Sequence, residues 1–191
     1  MLKNYLAAAL SLSLGAVSIL ASAEVDNAAG ESPLTPDSSA SPQGLNNADQ
    51  LFIQLIGIGG QAEVEAGNAA ARKGRADAVQ QFGKHMVQDH EKANRKLEQI
   101  AQSHRIDITK KYDPDHERQR KYLNDLKGDE FDREYLRTQI AEHQRTALLL
   151  EWQIGSGQNG ALKDYAKETL PTVLEHLQMA KDALEQLVAV R

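Results

Sequence analysis

Apolar side chains recur at alternating spacings of four and three residues from Leu51 to the end of the chain, which is the repeat of amphipathic α-helices. Proline is nearly absent after Pro42, and runs of β-branched residues do not occur. The pattern therefore predicts an all-α fold. Its four long helices should span about residues 47–73, 77–104, 129–155 and 160–190. Pro171 inside the last helix predicts a kink or a tightened turn there.

The connections between these helices limit how they can be arranged. Gly74-Arg75 and residues 155–159 are short links, so the first two helices and the last two should each form an antiparallel hairpin. About 24 residues separate the second and third long helices, and Asp113-Pro114 predicts the start of a short accessory helix within them. This segment could run back along its neighbours, which gives a ferritin-like four-helix bundle. If the short helix folds over one end instead, the bundle runs simply up and down.

Residues 1–46 differ in composition from the helical part. Lys3, an apolar stretch at residues 5–20 and the A-x-A site at Ala21-Ser22-Ala23 together predict a secretory signal peptide over residues 1–23. Residues 24–46 are rich in Ser, Pro, Ala and Asn, and predict a disordered acidic tether. We therefore expect an exported, periplasmic protein whose helical domain occupies residues 47–191. Asn47 is the predicted N-cap of its first helix.

Charge and cysteine content exclude several classes of function. Residues 24–50 carry five acids and no base, whereas residues 51–191 carry 21 bases and 22 acids. A nearly neutral domain with interspersed charges has no basic stripe for nucleic acid and no polybasic face for anionic lipid. No segment after residue 23 is apolar enough to anchor in a membrane, and the chain has no cysteine for disulfides or thiolate metal sites. The sequence identifies no protein partner.

Three of the six histidines follow an acidic residue, in Asp89-His90, Glu142-His143 and Glu175-His176, and each lies at the middle of an apolar stripe on a different helix. The first helix offers a carboxylate at a similar height on either of two overlapping stripes, Glu63 on one and Glu65 on the other. Mid-helix positions meet at one level in a bundle. We therefore expect three imidazoles and one or two carboxylates in one layer of the core.

Two functions fit such a layer. His90, His143 and His176 with Glu63 or Glu65 could hold a divalent transition metal, for which zinc, copper, iron and nickel are candidates. The same side chains could instead bond to each other and to buried water, forming a structural polar layer that fixes helix register. The sequence favours this second interpretation, a structural or interaction module without catalytic residues. A di-iron oxidase would need Glu-x-x-His on two helices, and this chain has Val87, Ile140 and Val173 at the glutamate positions.

Several ordered motifs resemble a known family. They are Ala62-Glu63-Val64-Glu65, Met86-Val87-Gln88-Asp89-His90 with Ala93-Asn94, Phe131-Asp132-Arg133-Glu134-Tyr135, Glu142-His143, and Leu170-Pro171 with His176-Leu177. Over residues 47–188 the chain resembles the exported bacterial family called domain of unknown function 4142. The resemblance implies an exported, ferritin-like four-helix bundle, and it implies no activity.

Overall fold

The computed structural model of the protein describes residues 45–189, and every regular element in that range is a helix. The helices are α1 (Asn47–Lys73), α2 (Asp77–Ser103), α3 (Pro114–Asp125), α4 (Gly128–Ser156) and α5 (Gly160–Ala189). The all-α prediction is confirmed, and α3 is the predicted accessory helix. The predicted signal peptide and the predicted tether as far as residue 44 lie outside the described residues. Among the helices described, none is long and apolar enough to cross a bilayer.

The first helix begins differently from the prediction. Its N-cap is Asn46 rather than Asn47, because the Asn46 backbone is extended and its side-chain oxygen accepts the Asp49 N–H at 2.7 Å. The Gln50 side chain reaches back and donates to the Leu45 carbonyl at 2.8 Å. Leu45 is itself buried in the core. The folded domain therefore includes two residues that the composition had assigned to the tether.

The four long helices pack most closely as two hairpins, α1 with α2 and α4 with α5. The hairpins then meet through α1 against α4 and α2 against α5. Asp49 at the start of α1 bonds to Gln153 at the end of α4, and Lys96 late in α2 bonds to Glu168 early in α5. Helices that meet between the hairpins therefore run in opposite directions.

The connection at residues 104–127 runs along the length of the long helices. It starts beside the turn between α4 and α5, where the His104 Nε2 and Asn159 Nδ2 atoms lie 3.2 Å apart. It ends beside the turn between α1 and α2, where Lys73 Nζ donates to the Leu123 carbonyl at 2.7 Å. The α3 helix packs on α1 and α4 on the way. Because this segment returns to the opposite end, α2 and α4 point the same way.

Each hairpin turn is held by a buried aspartate from the other hairpin. Asp132 of α4 accepts the backbone N–H groups of Arg75 and Ala76, the latter at 2.7 Å. Asp49 of α1 accepts the backbone N–H of Asn159 at 3.0 Å. These carboxylates satisfy N–H groups that a helix start leaves without partners. They also fix how far one hairpin can slide along the other.

The buried apolar side chains form two clusters, one towards each end of the long helices. The first cluster is Leu45, Phe52, Ile53, Ile56, Leu97, Ala101, Ala147, Leu150, Leu162, Tyr165, Ala166 and Val173. The second is Ala70, Val79, Phe82, Met86, Leu123, Phe131, Tyr135, Leu136, Ala180 and Ala183. Leu187, which the periodicity predicts to be buried, is only partly buried at the edge of the second cluster, near the end of α5. Polar residues occupy the level between the clusters.

Replacing Leu150 by Ala should lower the free energy of unfolding by about 2–5 kcal/mol, because its side chain is 0% exposed and its removal leaves a cavity. Leu148 lies two residues away in α4 and is 67% exposed, so Leu148→Ala is the matched control, with an expected change within about 0.5 kcal/mol. Urea denaturation of both variants measures the difference. Equal losses in the two variants would contradict the assignment of the buried face of α4.

Candidate metal centre

The layer between the two apolar clusters contains three histidines from three helices. His90 of α2, His143 of α4 and His176 of α5 are all buried. Their ring centroids are 5.4 to 5.6 Å apart. Each histidine offers one ring nitrogen, and these three nitrogens all lie within 4.8 Å of one another. The structure therefore brings together the three histidines that the sequence pattern singled out.

Hydrogen bonds fix the proton position on two of these rings. His143 Nδ1 lies 2.8 Å from the Gln139 carbonyl, which can only accept, so Nδ1 carries the proton and Nε2 has the lone pair. His176 Nε2 lies 3.0 Å from the Asp89 carboxylate, which likewise leaves the lone pair on Nδ1. Three ring nitrogens are buried and have no hydrogen-bond partner among residues 45–189: His143 Nε2, His176 Nδ1 and His90 Nε2. Each ring thus has one buried nitrogen without a partner, and on His143 and His176 that nitrogen is an acceptor.

Burial keeps the three imidazoles neutral. Desolvation, together with the smaller effect of the neighbouring His176, lowers the pKa of His143 from 6.5 to about 4, although its hydrogen bond to the Gln139 backbone carbonyl opposes this shift. Desolvation followed by the charges of His143 and His176 lowers the pKa of His90 well below 6.5. The pKa of His176 is lowered by burial, although its bond to Asp89 opposes this shift. Neutral imidazole is the form that binds a metal ion.

Glu63 of α1 faces the core beside this layer. It is buried, and no other residue in the described part of the chain bonds to its Oε2 atom. Desolvation raises its pKa to about 8, against a smaller opposite effect of a hydrogen bond from the Gln139 side chain. Glu63 is therefore a neutral acid at pH 7. It does not belong to the group of mutually close ligand atoms that the three histidines form.

Glu65, the other predicted carboxylate, faces away from the layer. The Tyr112 hydroxyl donates to its Oε2 at 2.9 Å, and the Arg120 guanidinium lies 3.6 Å from its Oε1. Both partners belong to the connection that covers α1. Leu51, on the same stripe as Glu65, is 58% exposed, whereas Phe52 on the Glu63 stripe is 1% exposed. Only the second stripe faces the core, which excludes Glu65 from the histidine layer.

The acids that precede the histidines behave differently from one another. Asp89 bonds to His176 across the helix interface rather than to its own neighbour His90. Glu142 forms an ion pair with Arg145 at 2.7 Å and does not bond to a histidine. Of these two acids, only Asp89 therefore bonds to a histidine of the cluster, and Glu175 is exposed.

His85 is a further member of this network. Its Nε2 atom lies 3.2 Å from the Asp89 carboxylate, and His85, Asp89 and His176 form a second group of mutually close ligand atoms. The spacing of four residues between His85 and Asp89 on α2 indicates one helical face. Their link to His176 could not be predicted, because it depends on how α2 packs against α5.

A cavity of about 340 Å³ lies beside the histidine layer and is partly open to solvent. His90, His176 and Glu63 contribute to its wall. Asn94, Thr169 and Thr172 are among its polar lining residues. The layer is thus buried by the helices but can be reached from one side.

Comparisons with known proteins identify a family but no activity. The model of a family described as Domain of unknown function (DUF4142) matches residues 34–183, so the chain belongs to that family. A crystal structure of a DUF305 fragment from Deinococcus radiodurans is similar at a TM-score of 0.64, with 15% identity over 75% of this chain and 99% of that one. At this identity the likeness concerns the fold alone. No curated protein matches the chain significantly.

The metal-free protein should be most stable near neutral pH. The histidine pKa values are lower in the folded state than in the unfolded chain. Their contribution to the free energy of unfolding is therefore complete above pH 6.5 and is lost as pH falls towards about 4. Folding raises the pKa of Glu63 from 4.5 to about 8, so the contribution of Glu63 to the free energy of unfolding is lost as pH rises from 4.5 to about 8. Glu63→Gln should abolish the decline between pH 6.5 and 8 and retain the acid-side decline. Denaturation with chelator across this pH range tests it, and an unchanged alkaline slope in Glu63→Gln would contradict the assignment.

Proposed function

We propose that this member of the DUF4142 family binds a divalent transition metal ion through His90, His143 and His176. Two observations carry the proposal: the three buried histidines offer ring nitrogens that lie within 4.8 Å of one another, and each ring has a buried nitrogen with no hydrogen-bond partner among residues 45–189. On His143 and His176 this nitrogen carries a lone pair, because the other ring nitrogen donates its proton to an acceptor. A cation at their common centre would satisfy all three.

The tautomers argue against a purely structural polar layer. Such a layer is stable when every donor meets an acceptor, because an unsatisfied buried polar atom costs about 1–3 kcal/mol. Here the N–H groups of His143 and His176 point outward, to Gln139 and Asp89, so neither can donate to the other two rings. Of the three rings, only His90 could supply a donor to the others, and Glu63 is not among the close ligand atoms. Such an arrangement suits a cation better than a hydrogen-bonded layer.

The chemistry of the donors indicates the class of metal. Three neutral imidazoles suit zinc, copper, nickel or iron(II), whereas magnesium and calcium prefer oxygen ligands. The Asp89–His176 and Gln139–His143 bonds supply the outer contacts that orient metal-binding histidines. The arrangement supports binding and holding of the ion, as in a carrier or buffer, and no residue set in the layer supports a specific reaction.

We also infer that the four long helices form a ferritin-like four-helix bundle. The antiparallel contacts between hairpins and the connection along the length of the helices support this arrangement over a simple up-and-down order. The sequence pattern of residues 1–23 supports export to the periplasm, where the metal would be taken up. Because the chain has no cysteine, its metal site would contain no thiolate that the oxidising conditions of the periplasm could convert to a disulfide.

The metal proposal is tested by thermal melting of chelator-stripped protein with zinc, copper, nickel, iron(II) and, as a weaker competitor, manganese. At a hundredfold excess over its dissociation constant, a bound metal should stabilise the fold by about 2.7 kcal/mol. His143→Ala should abolish the metal-dependent shift. His104→Ala is the control, because His104 lies at the end of α2 next to Asn159 and should leave the shift intact.

The metal-dependent difference in melting temperature is the readout, since His143→Ala also changes the stability of the metal-free protein. If no metal shifts the melting of the wild-type protein, and protein purified from its native source contains none, the histidine layer is structural.

Asp89→Asn should weaken metal binding by about 10-fold or more, because it removes the charged acceptor that holds His176 with its lone pair inward. Asp89 acts as a positioning residue, so the affinity should fall while the melting temperature of the metal-free protein changes little. Glu91→Gln, a change of an exposed acid in the same helix, is the control. Calorimetric titration of both variants measures the affinity, and equal affinities would contradict the positioning role.

A further inference from the structure

Within the described part of the chain, no fourth histidine or carboxylate joins the close ligand atoms of the three histidines. Glu63 is not among the ligand atoms that lie within 4.8 Å of one another. The Asp89 carboxylate already accepts from His176 at 3.0 Å and contacts His85 at 3.2 Å. Zinc and similar ions take at least four ligands, and sites with three protein ligands complete the set with a molecule from solution.

The cavity of about 340 Å³ lies where such a molecule would be accommodated. His90 and His176 both line it, so a metal ion held by their inward nitrogens would lie close to its wall. Ala93 and Thr172, which have small side chains, also line the cavity. The volume is near the lower end of the range for small-molecule sites, about 300–1,000 Å³. It holds more than a single water molecule.

The charges around the cavity select against small anions. Besides Glu63, the acids in its lining are Asp89, Asp113, Asp115 and Glu142. Arg145 is the arginine of the lining, and it is already paired with Glu142 at 2.7 Å. An anion that approaches a bound cation through this cavity would pass these carboxylates, which offset part of the attraction of the cation, whereas an uncharged ligand meets no such repulsion.

We propose that the fourth coordination position of the histidine site opens into this cavity and accepts a small uncharged nitrogen or oxygen base. This inference rests on the proposed function, because it requires a metal ion on His90, His143 and His176. It adds which class of ligand from solution binds the ion and the path by which that ligand reaches it. The ligand donates a lone pair to the ion and displaces water, so no bond of the protein changes.

The test uses chelator-stripped protein loaded with cobalt(II), whose visible absorption reports its coordination. Imidazole is added at pH 8, where it is mostly uncharged, and azide is added separately as a small anion. Imidazole should shift the cobalt bands with a saturable dependence and without release of the ion. Azide should bind at least about tenfold more weakly. Equal binding of both would overturn the assignment to uncharged bases.

Cavity-filling variants test the route. Ala93→Phe should abolish the response to imidazole while cobalt remains bound, and Thr172→Phe serves if the first variant does not fold. Ala161→Phe, at an exposed position near the start of α5, is the control and should respond as the wild type does. Imidazole binding that persists in the cavity-filled variants would overturn the proposed route.

The outcomes separate the two proposals. Cobalt bands that imidazole leaves unchanged would overturn the open fourth position and leave metal binding intact. If cobalt does not bind to the wild-type protein at all, the proposed function fails, and the open position fails with it.

Discussion

The structure depends on a layer of polar side chains at the centre of an otherwise apolar helical core. Glu63, His90, His143 and His176 lie between the two apolar clusters, one residue from each long helix. These four side chains can be buried together only if they are uncharged, because an isolated ion in the core would be strongly disfavoured. Desolvation meets that condition by lowering the pKa of the imidazoles and raising that of the carboxyl group.

The layer can form only if four mid-helix positions meet at one level, and contacts at the two ends ensure this. Asp49 and Asp132 each bond across the hairpins to the opposite turn. A shift of one helical turn, about 5.4 Å, would break both sets of bonds and separate the imidazoles. Close approach of α1 and α2 adds to this constraint, since a Cβ atom on Gly83 would lie only 2.7 Å from the Gly67 carbonyl oxygen. The turns, far from the layer, therefore determine its geometry.

Much of this could be predicted from the sequence, because helical periodicity is a local property. The helices, the accessory helix after Asp113 and the convergence of His90, His143 and His176 follow from spacing alone. The choice between Glu63 and Glu65 does not, since each lies on an apolar stripe. It is decided by the connection over α1, whose Tyr112 and Arg120 bind Glu65. Likewise, the partner of Asp89 is His176 of another helix, and no local pattern indicates it.

The proton on Glu63 would differ between the polar layer without a metal ion and the layer with one. Three neutral imidazoles and a neutral carboxylic acid carry no net charge, so they can be buried together. A divalent cation would add two positive charges at this level, where the Asp89 side chain is already bonded to His176. The same cation would lower the pKa of Glu63 from about 8, because an opposite charge favours the ionised form. Loss of that proton would supply a second negative charge. The buried glutamate would then balance the ion by releasing its proton, even though it is not one of the close ligand atoms.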